Sequence, residues 1–422
     1  MTMKLRDDEK RMLGGEQGPT IQKAMQYLVD IGEGNGAEEM VDISRAHILT
    51  VWGAPHWLPE VVRELTEGEK VRVPTTTHSK PVCLQHAKRM GLSESVIEET
   101  SKYISDMGQL FSDIGAIPSY TCLPDLWHHL KLGDHVAFTD TLVVPLVNAW
   151  FGARTNMESP LSAVICAITG KTPKYGMHLA ENRAGEALVE VAPELEAEKF
   201  DSADYGALSY WAGKLRVNGV SVLPVYSGLS PKFSLTNAKN MCLSLTWNSR
   251  ADMFHVVGVT PEAPTIEAAF GGREVKSEAR FVFGKKELKG AYEELTSATE
   301  KKVDVVCIGC PHCTLEEITE LAKLLNGRKV HKDTQLWIGM SAAAREIADR
   351  MGLIEVIEQA GASIMTDSCV SFHSIFSLLP RVVATNAAAL YQLPTLTGKH
   401  VTMWYGTAAD CINAAVNGRW EV

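Results

Sequence analysis

The chain has 422 residues, 45% of them hydrophobic and 22% charged, which is enough apolar material for more than one core and excludes a disordered chain. Forty-one basic against 51 acidic residues leave a net charge of −10, the wrong sign for tracking a phosphate backbone, so no nucleic acid is expected as a partner. The amino terminus, MTMKLRDDEKRMLGGEQG, lacks the apolar centre of a secretory signal, and the longest apolar stretch, residues 135–152, is broken by Asp140, Pro145 and Asn148. It falls short of the ~18 apolar residues a spanning helix needs, so no membrane span is expected. Nine cysteines, an odd number, read as reduced thiols in a cytoplasmic protein.

In chain order, residues 7–40 place Met12, Ile21, Met25, Leu28 and Val29 at helical spacing, interrupted at Gly14-Gly15, and predict two short helices. Residues 41–51 and 70–74 predict strands, and residues 93–112 a polar helix. An irregular segment, 114–121, leads to Cys122. The apolar stretch 135–176 holds a buried helix over 161–168 between turns at Gly152 and Gly170. Further strands are predicted over 221–226 and 253–259, the latter ending in the turn-like TPEAP.

After a Lys/Glu-rich stretch, 284–302, strands and helices alternate on a short period. Strands fall at 303–308, 335–338, 363–365 and 382–384, helices at 315–325, 342–351 and 408–416. Continuous apolar runs with crossover helices describe buried parallel strands, so the fold class is α/β. Residues 1–300 form one region, with a subdomain embedded in it, and 301–422 a second α/β domain.

The most informative local sequence is VDVVCIGCPHCTLEEITELAKLL, residues 303–325. Thr314 and Glu317 make a capping-box pattern, so the helix should start just beyond Cys313 and leave Cys310 in the strand-to-helix turn. The carboxyl end of a parallel strand is where α/β sheets place ligands, and helix amides there favour a thiolate. Cys307, flanked by valines and isoleucine, reads as a buried strand residue. No second close cysteine pair exists, so a four-thiolate zinc site is not expected. Cys122 in SYTCLPD and Cys369 in MTDSCVS also occupy loops. Singly each is an ordinary thiol, but with Cys310 they match an iron–sulfur cluster that leaves one iron open.

The blocks GEQG near Gly15, SRAH at Ser44, VPTT at Val73, FGARTN at Phe151, ITGKTPKYGMHL at Ile168, FHVVGVTPEAPT at Phe254, IGCPHCTLEE at Ile308, TDSCV at Thr366 and AAVNGRW at Ala414 span nearly the whole chain. In them the chain resembles the large subunit of the aconitase X family of hydro-lyases, whose fold is built of three-layer α/β/α domains. The resemblance implies dehydration of a small hydroxy acid; cis-3-hydroxy-L-proline and phosphomevalonate are family substrates. It implies an iron–sulfur cluster on Cys122, Cys310 and Cys369, with [2Fe-2S], [3Fe-4S] and [4Fe-4S] all open. A small swivelling β-rich domain, supplied as a separate subunit, is the implied partner.

Within that family reading, Gly152, Ala153, Arg154, Thr155 and Asn156 are expected to bind substrate, Arg154 offering a fork to a small carboxylate. Thr75 and Thr76, expected to follow a strand, offer hydroxyls, and His47 and His312 flank the site loops as further catalytic candidates. The adjacent His128 and His129 read as solvated helix surface, since neighbouring helical positions do not converge on one ion. THSKP after Thr76 and TNAAAL near the carboxyl terminus depart from the family pattern. They leave open a cluster- or thiol-bearing binding protein of the same fold without catalysis, and Cys310/Cys313 leave open a dithiol oxidoreductase.

Overall fold

The computed structural model describes residues 3–49, 58–249, 251–371, 381–398 and 401–421. Three parallel sheets carry the architecture. The first has the strand order Thr75–Thr77, Ala46–Ile48, Ala137–Thr139, Met157–Glu158. The second runs His255–Val256, Pro224–Ser227, Ala187–Val191, Arg280–Phe283. The third runs Ser363–Thr366, Gln335–Met340, Val305–Ile308, Arg381–Thr385, Val401–Tyr405. The α/β class expected from the sequence is therefore the one found.

The third sheet shows why its strands read as unbroken apolar runs. Val306 and Ile308 face the helices Leu315–Leu325 and Ala408–Asn417, packing on Ile318, Leu321 and Ile412. Val305 and Cys307 face the opposite layer, with Val82 and Met90 contributed from the first third of the chain. With both faces covered, alternation has nothing to report. Cys307 is a buried strand residue, as its neighbours imply. Thr314 caps the helix Leu315–Leu325, accepting from the Glu317 amide while Glu317 accepts from the Thr314 amide.

In the first region the helix Pro160–Thr169 is almost wholly buried. Ile165 and Ile168 pack on Met25 and Leu28, and Ala163 and Val164 on Met107 and Leu110 of the helix Glu94–Ile114. The helices Ser202–Gly213 and Leu235–Asn248 pack together over the second sheet through Leu208, Met241 and Tyr226. No helix among the described residues is long and apolar enough to cross a membrane.

Several expected elements shift. Residues 70–74 form no strand: the Val71 and Arg72 amides donate to the carbonyls of Ile114 and Ala167, outside any ladder, and the strand begins at Thr75. Strand 253–259 shrinks to His255–Val256, because Thr260 folds back on Val256 and closes a turn. Residues 221–226 divide between a hairpin arm, Val220–Ser221, and the sheet strand Pro224–Ser227. The Lys/Glu-rich stretch contains the helix Lys285–Leu295, which buries Ala291 and Leu295 with Leu288 and Tyr292 partly buried beside them.

The loop after Val305–Ile308 passes so close to the neighbouring strand that only glycine fits. Gly309 has φ +96°, and a Cβ there would lie 2.7 Å from the Gly339 nitrogen and 2.9 Å from its Cα. Backbone cannot yield as a flexible side chain does. Gly309→Ala should therefore lower stability by about 1–3 kcal/mol through strain and overpacking, read as a reduced urea midpoint with an unchanged m-value.

Candidate functional site

The carboxyl ends of the first and third sheets meet at one cavity. It is lined by His78, Ser79, Cys122, Asp140, Trp247 and the turn 309–312, with Cys369 and Ser371 closing one side. The space inside it is about 40 Å³, well below the ~300–1,000 Å³ of drug-sized ligand sites. The three cysteines singled out from the sequence, Cys122, Cys310 and Cys369, thus share one wall system although they lie far apart in the chain.

Each thiol is placed by backbone. Cys310 follows the strand Val305–Ile308 and the tight Gly309 turn. Cys369 follows Ser363–Thr366; its amide donates to the Lys80 carbonyl (3.0 Å), and the Lys80 amide donates to the Asp367 carbonyl (2.7 Å). Cys122 accepts from the His312 amide at 3.2 Å. The Cys310 thiol is pushed up by its hydrogen bond with Cys369, by burial and by Cys122 nearby; burial above all pushes up Cys122. Three mutually opposed thiols ionise together only if positive charge enters among them, which is what a thiolate-bound iron cluster brings. No three His, Cys, Asp or Glu side chains among the described residues are drawn tightly enough for a single ion, a condition that thiolates spread over several irons need not meet.

His312 is a clamp. Nε2 donates to the Ser368 carbonyl at 3.0 Å, leaving Nδ1 as acceptor beside the Thr121 hydroxyl at 3.1 Å. The ring ties the loop of Cys122 to that of Cys369, and burial brings its pKa down to about 4. Both ring nitrogens are engaged by protein, so its expected catalytic role gives way to a positioning one. Lys239, which the sequence did not single out, secures the same turn. Its buried ammonium is 2.7 Å from Glu317 Oε2 and donates to the carbonyls of Pro311 (3.1 Å) and His312 (2.9 Å).

Other expected site residues lie elsewhere. Thr75 and Thr76 belong to the strand itself. The Thr75 hydroxyl donates to the Val73 carbonyl (2.9 Å). The Thr76 hydroxyl sits 2.8 Å from both His47 Nδ1 and His128 Nε2, donating to one ring and accepting from the other. His47 does not line the cavity; its ring stands edge-on to His78, centroids 6.0 Å apart. His128 is no solvated helix residue. It follows the short 3-10 helix Pro124–Leu126 in a turn and is buried against Phe138, while His129 is exposed.

Most polar groups of the 152–156 segment are taken up by its own packing, while Arg154 Nε is buried with no hydrogen-bond partner among the described residues. A Cβ at Gly152 would meet Pro261 at 2.9 Å. The Ala153 amide donates to the Val147 carbonyl. Thr155 accepts from the Phe138 amide and donates to the Asn156 carbonyl, and Asn156 bridges the Met177 amide and the Tyr175 carbonyl. Arg154 is not part of the cavity lining; it donates to the His178 carbonyl (3.3 Å) next to the stacked pair His135 and His178. In place of these, the cavity presents His78, Ser79 and Asp140. A second cavity, lined by Leu49, Met157, Glu158, Gln392 and Leu396, shares Asp140 and Trp247 with it. Cys313 is buried in the core of the third sheet and is absent from the cavity's lining, which leaves Cys310 without the dithiol partner expected of a redox pair.

Family models match along the chain: Aconitase X first domain over residues 2–181, second domain over 185–293 and third domain over 303–417. A cis-3-hydroxy-L-proline dehydratase of Pseudomonas aeruginosa is 32% identical over 97% of this chain and 70% of its own length. A phosphomevalonate dehydratase large subunit of Methanocaldococcus jannaschii is 32% identical over 94% of this chain and 97% of its own. The crystal structure of Thermococcus kodakaraensis aconitase X in its holo-form superposes with a TM-score of 0.83 at 28% identity, covering 98% of this chain and 100% of that one.

Two outcomes follow from the buried charges. Lys239→Met strands the Glu317 carboxylate and should cost about 3–5 kcal/mol, whereas Lys239→Met with Glu317→Gln, which keeps the cap on the Thr314 amide, should recover most of it in urea unfolding. His128 is held neutral by burial, with its pKa down to about 4 from an ordinary 6.5. The unfolded chain binds more protons between those values, so this contribution is present above about pH 6.5 and lost as pH falls toward 4. His128→Gln should flatten that limb of the stability–pH profile.

Proposed function

The chain belongs to the aconitase X family, and from that membership we propose that it is a hydro-lyase, the large catalytic subunit of an iron–sulfur-dependent dehydratase acting on a small hydroxy acid. The observation that carries the reading is the meeting of Cys122, Cys310 and Cys369 at one cavity. These three residues would hold the cluster. When bound, it supplies a Lewis acid, at an iron without a protein thiolate, to a substrate hydroxyl.

The chain's own residues do the rest. Lys239 and His312 fix the turn and loops that bear the thiols. Trp247, whose indole donates to the Thr141 hydroxyl at 3.0 Å, walls both cavities. The neighbouring cavity offers a small acid a route in, past Asp140. Relatives named as large subunits are matched over nearly their full length, which supports a separate small subunit as partner. We also read residues 301–422 as a folding region of their own, supported by a sheet drawn wholly from strands after Val303.

The test is the iron and sulfide content of anaerobically prepared protein. Wild type should hold a cluster, and Cys122→Ser, Cys310→Ser and Cys369→Ser should each lose most of it while Cys166→Ser, buried in the core around Met25 and Leu28, keeps it. Iron-free wild type, or iron indifferent to all three substitutions, would sink the reading. Turnover of a hydroxy-acid panel, including cis-3-hydroxy-L-proline and phosphomevalonate, with and without the small subunit, then identifies the substrate.

A further inference from the structure

All three ammonium protons of Lys239 are committed. They go to Glu317 Oε2 (2.7 Å), the Pro311 carbonyl (3.1 Å) and the His312 carbonyl (2.9 Å), which is the full donor complement of a lysine side chain. Lys239 is 1% exposed and lines neither of the two cavities that share Asp140 and Trp247. It can therefore act on the chemistry there only through the groups it holds.

One of those bonds leads to a thiol. The Pro311 carbonyl and the His312 amide are the two ends of a single peptide group, and that amide donates to Cys122 Sγ at 3.2 Å. Ammonium, peptide and sulfur are thus linked in series. A cation on the carbonyl oxygen draws charge from the N–H and makes it a stronger donor. The next peptide is held in the same way at the His312 carbonyl, and its Cys313 amide donates to the Gly339 carbonyl at 2.8 Å, which ties the turn to the strand Gln335–Met340. Burial pushes the Cys122 thiol up, while the His312 amide and the Lys239 ammonium pull it down. Cys369, by contrast, has the neutral hydroxyl of Ser371 at 2.8 Å.

We propose that Lys239 is a positioning residue that tunes Cys122 as an iron ligand through the Pro311–His312 peptide; the proposal rests on the reading of Cys122 as a cluster ligand. A thiolate that accepts a strengthened N–H bond gives less charge to its metal, and hydrogen bonds to the sulfurs are among the terms that set a cluster's potential. Lys239 thereby favours the reduced state and a more electrophilic iron without touching substrate. Its carboxylate partner, Glu317, keeps it charged in a buried place.

The test compares the whole wild-type chain with two double variants, Lys239→Met with Glu317→Gln and Lys239→Gln with Glu317→Gln. Each removes the buried cation together with its partner charge, so neither strands a charge, and urea unfolding checks that the fold is kept. In anaerobically loaded protein the midpoint potential, followed by EPR, should move to more negative values. With the small subunit present, kcat should fall about 10–100-fold, the usual weight of a group that supports a metal ligand, with KM little changed. In the metal-free chain, labelled with ¹⁵N-histidine and assigned with His312→Gln, the His312 amide proton should move upfield in both variants, the mark of a weaker N–H bond. A loaded variant with the wild-type potential, or an amide proton that stays in place, overturns the tuning role and leaves the cluster reading standing. Iron-free wild type overturns the cluster reading, and the tuning role with it.

Discussion

The ammonium of Lys239 is the charge around which the cavity is organised. It is buried within the helix Leu235–Asn248, and burial alone would drive it toward neutrality. Glu317 outweighs that, and the remaining ammonium protons go to the carbonyls of Pro311 and His312. A turn that leaves a strand, exposes Cys310 and then enters a helix has several carbonyls with no ladder to join. One buried cation satisfies two of them and ties the helix Leu235–Asn248 to the third sheet's turn. It also lies near enough to Cys122 and Cys313 to feel thiolate charge, which makes it the protein's own electrostatic counterweight beside the cavity.

Around that anchor the loops hold one another. His312 reaches the Ser368 carbonyl with one nitrogen and the Thr121 hydroxyl with the other, and its amide reaches Cys122. Lys80 pairs its backbone with Asp367 and Cys369, and its side chain lies over the Tyr120 ring at 4.2 Å. The thiol positions are therefore defined by bonds between loops, one of which ends on the Cys122 sulfur itself. Preorganisation of this kind is what a site needs if it is to hold reacting groups in register.

The third sheet was legible because its strands are buried on both faces and its helices carry explicit caps; Thr314 with Glu317 marks the helix start to the residue. Cys310 was legible for the same reason, since a capped helix after an apolar strand fixes where the turn must be. Lys239 was not, because a lysine amid apolar helical residues carries no local sign that its ammonium is enclosed. Asp140 looked like an interruption in an apolar run, and His78-Ser79 like a departure from a family pattern, although both lie on the cavity wall. Arg154 stands apart from the cavity lining. A Gly-Ala-Arg-Thr-Asn turn has the composition of a ligand loop, but here its hydroxyl and amide groups close a turn against Phe138, Tyr175 and Met177.

The contact of the His312 amide with Cys122 spans 190 positions of chain. At synthesis rates of about 5–20 residues per second, a ribosome needs roughly 10–40 s to travel that far. During that interval the first thiol has emerged without its neighbours, and the loop that brings Cys369 comes later still. Assembly of the cavity thus waits until residues beyond Cys369 have been made, late in synthesis of the chain.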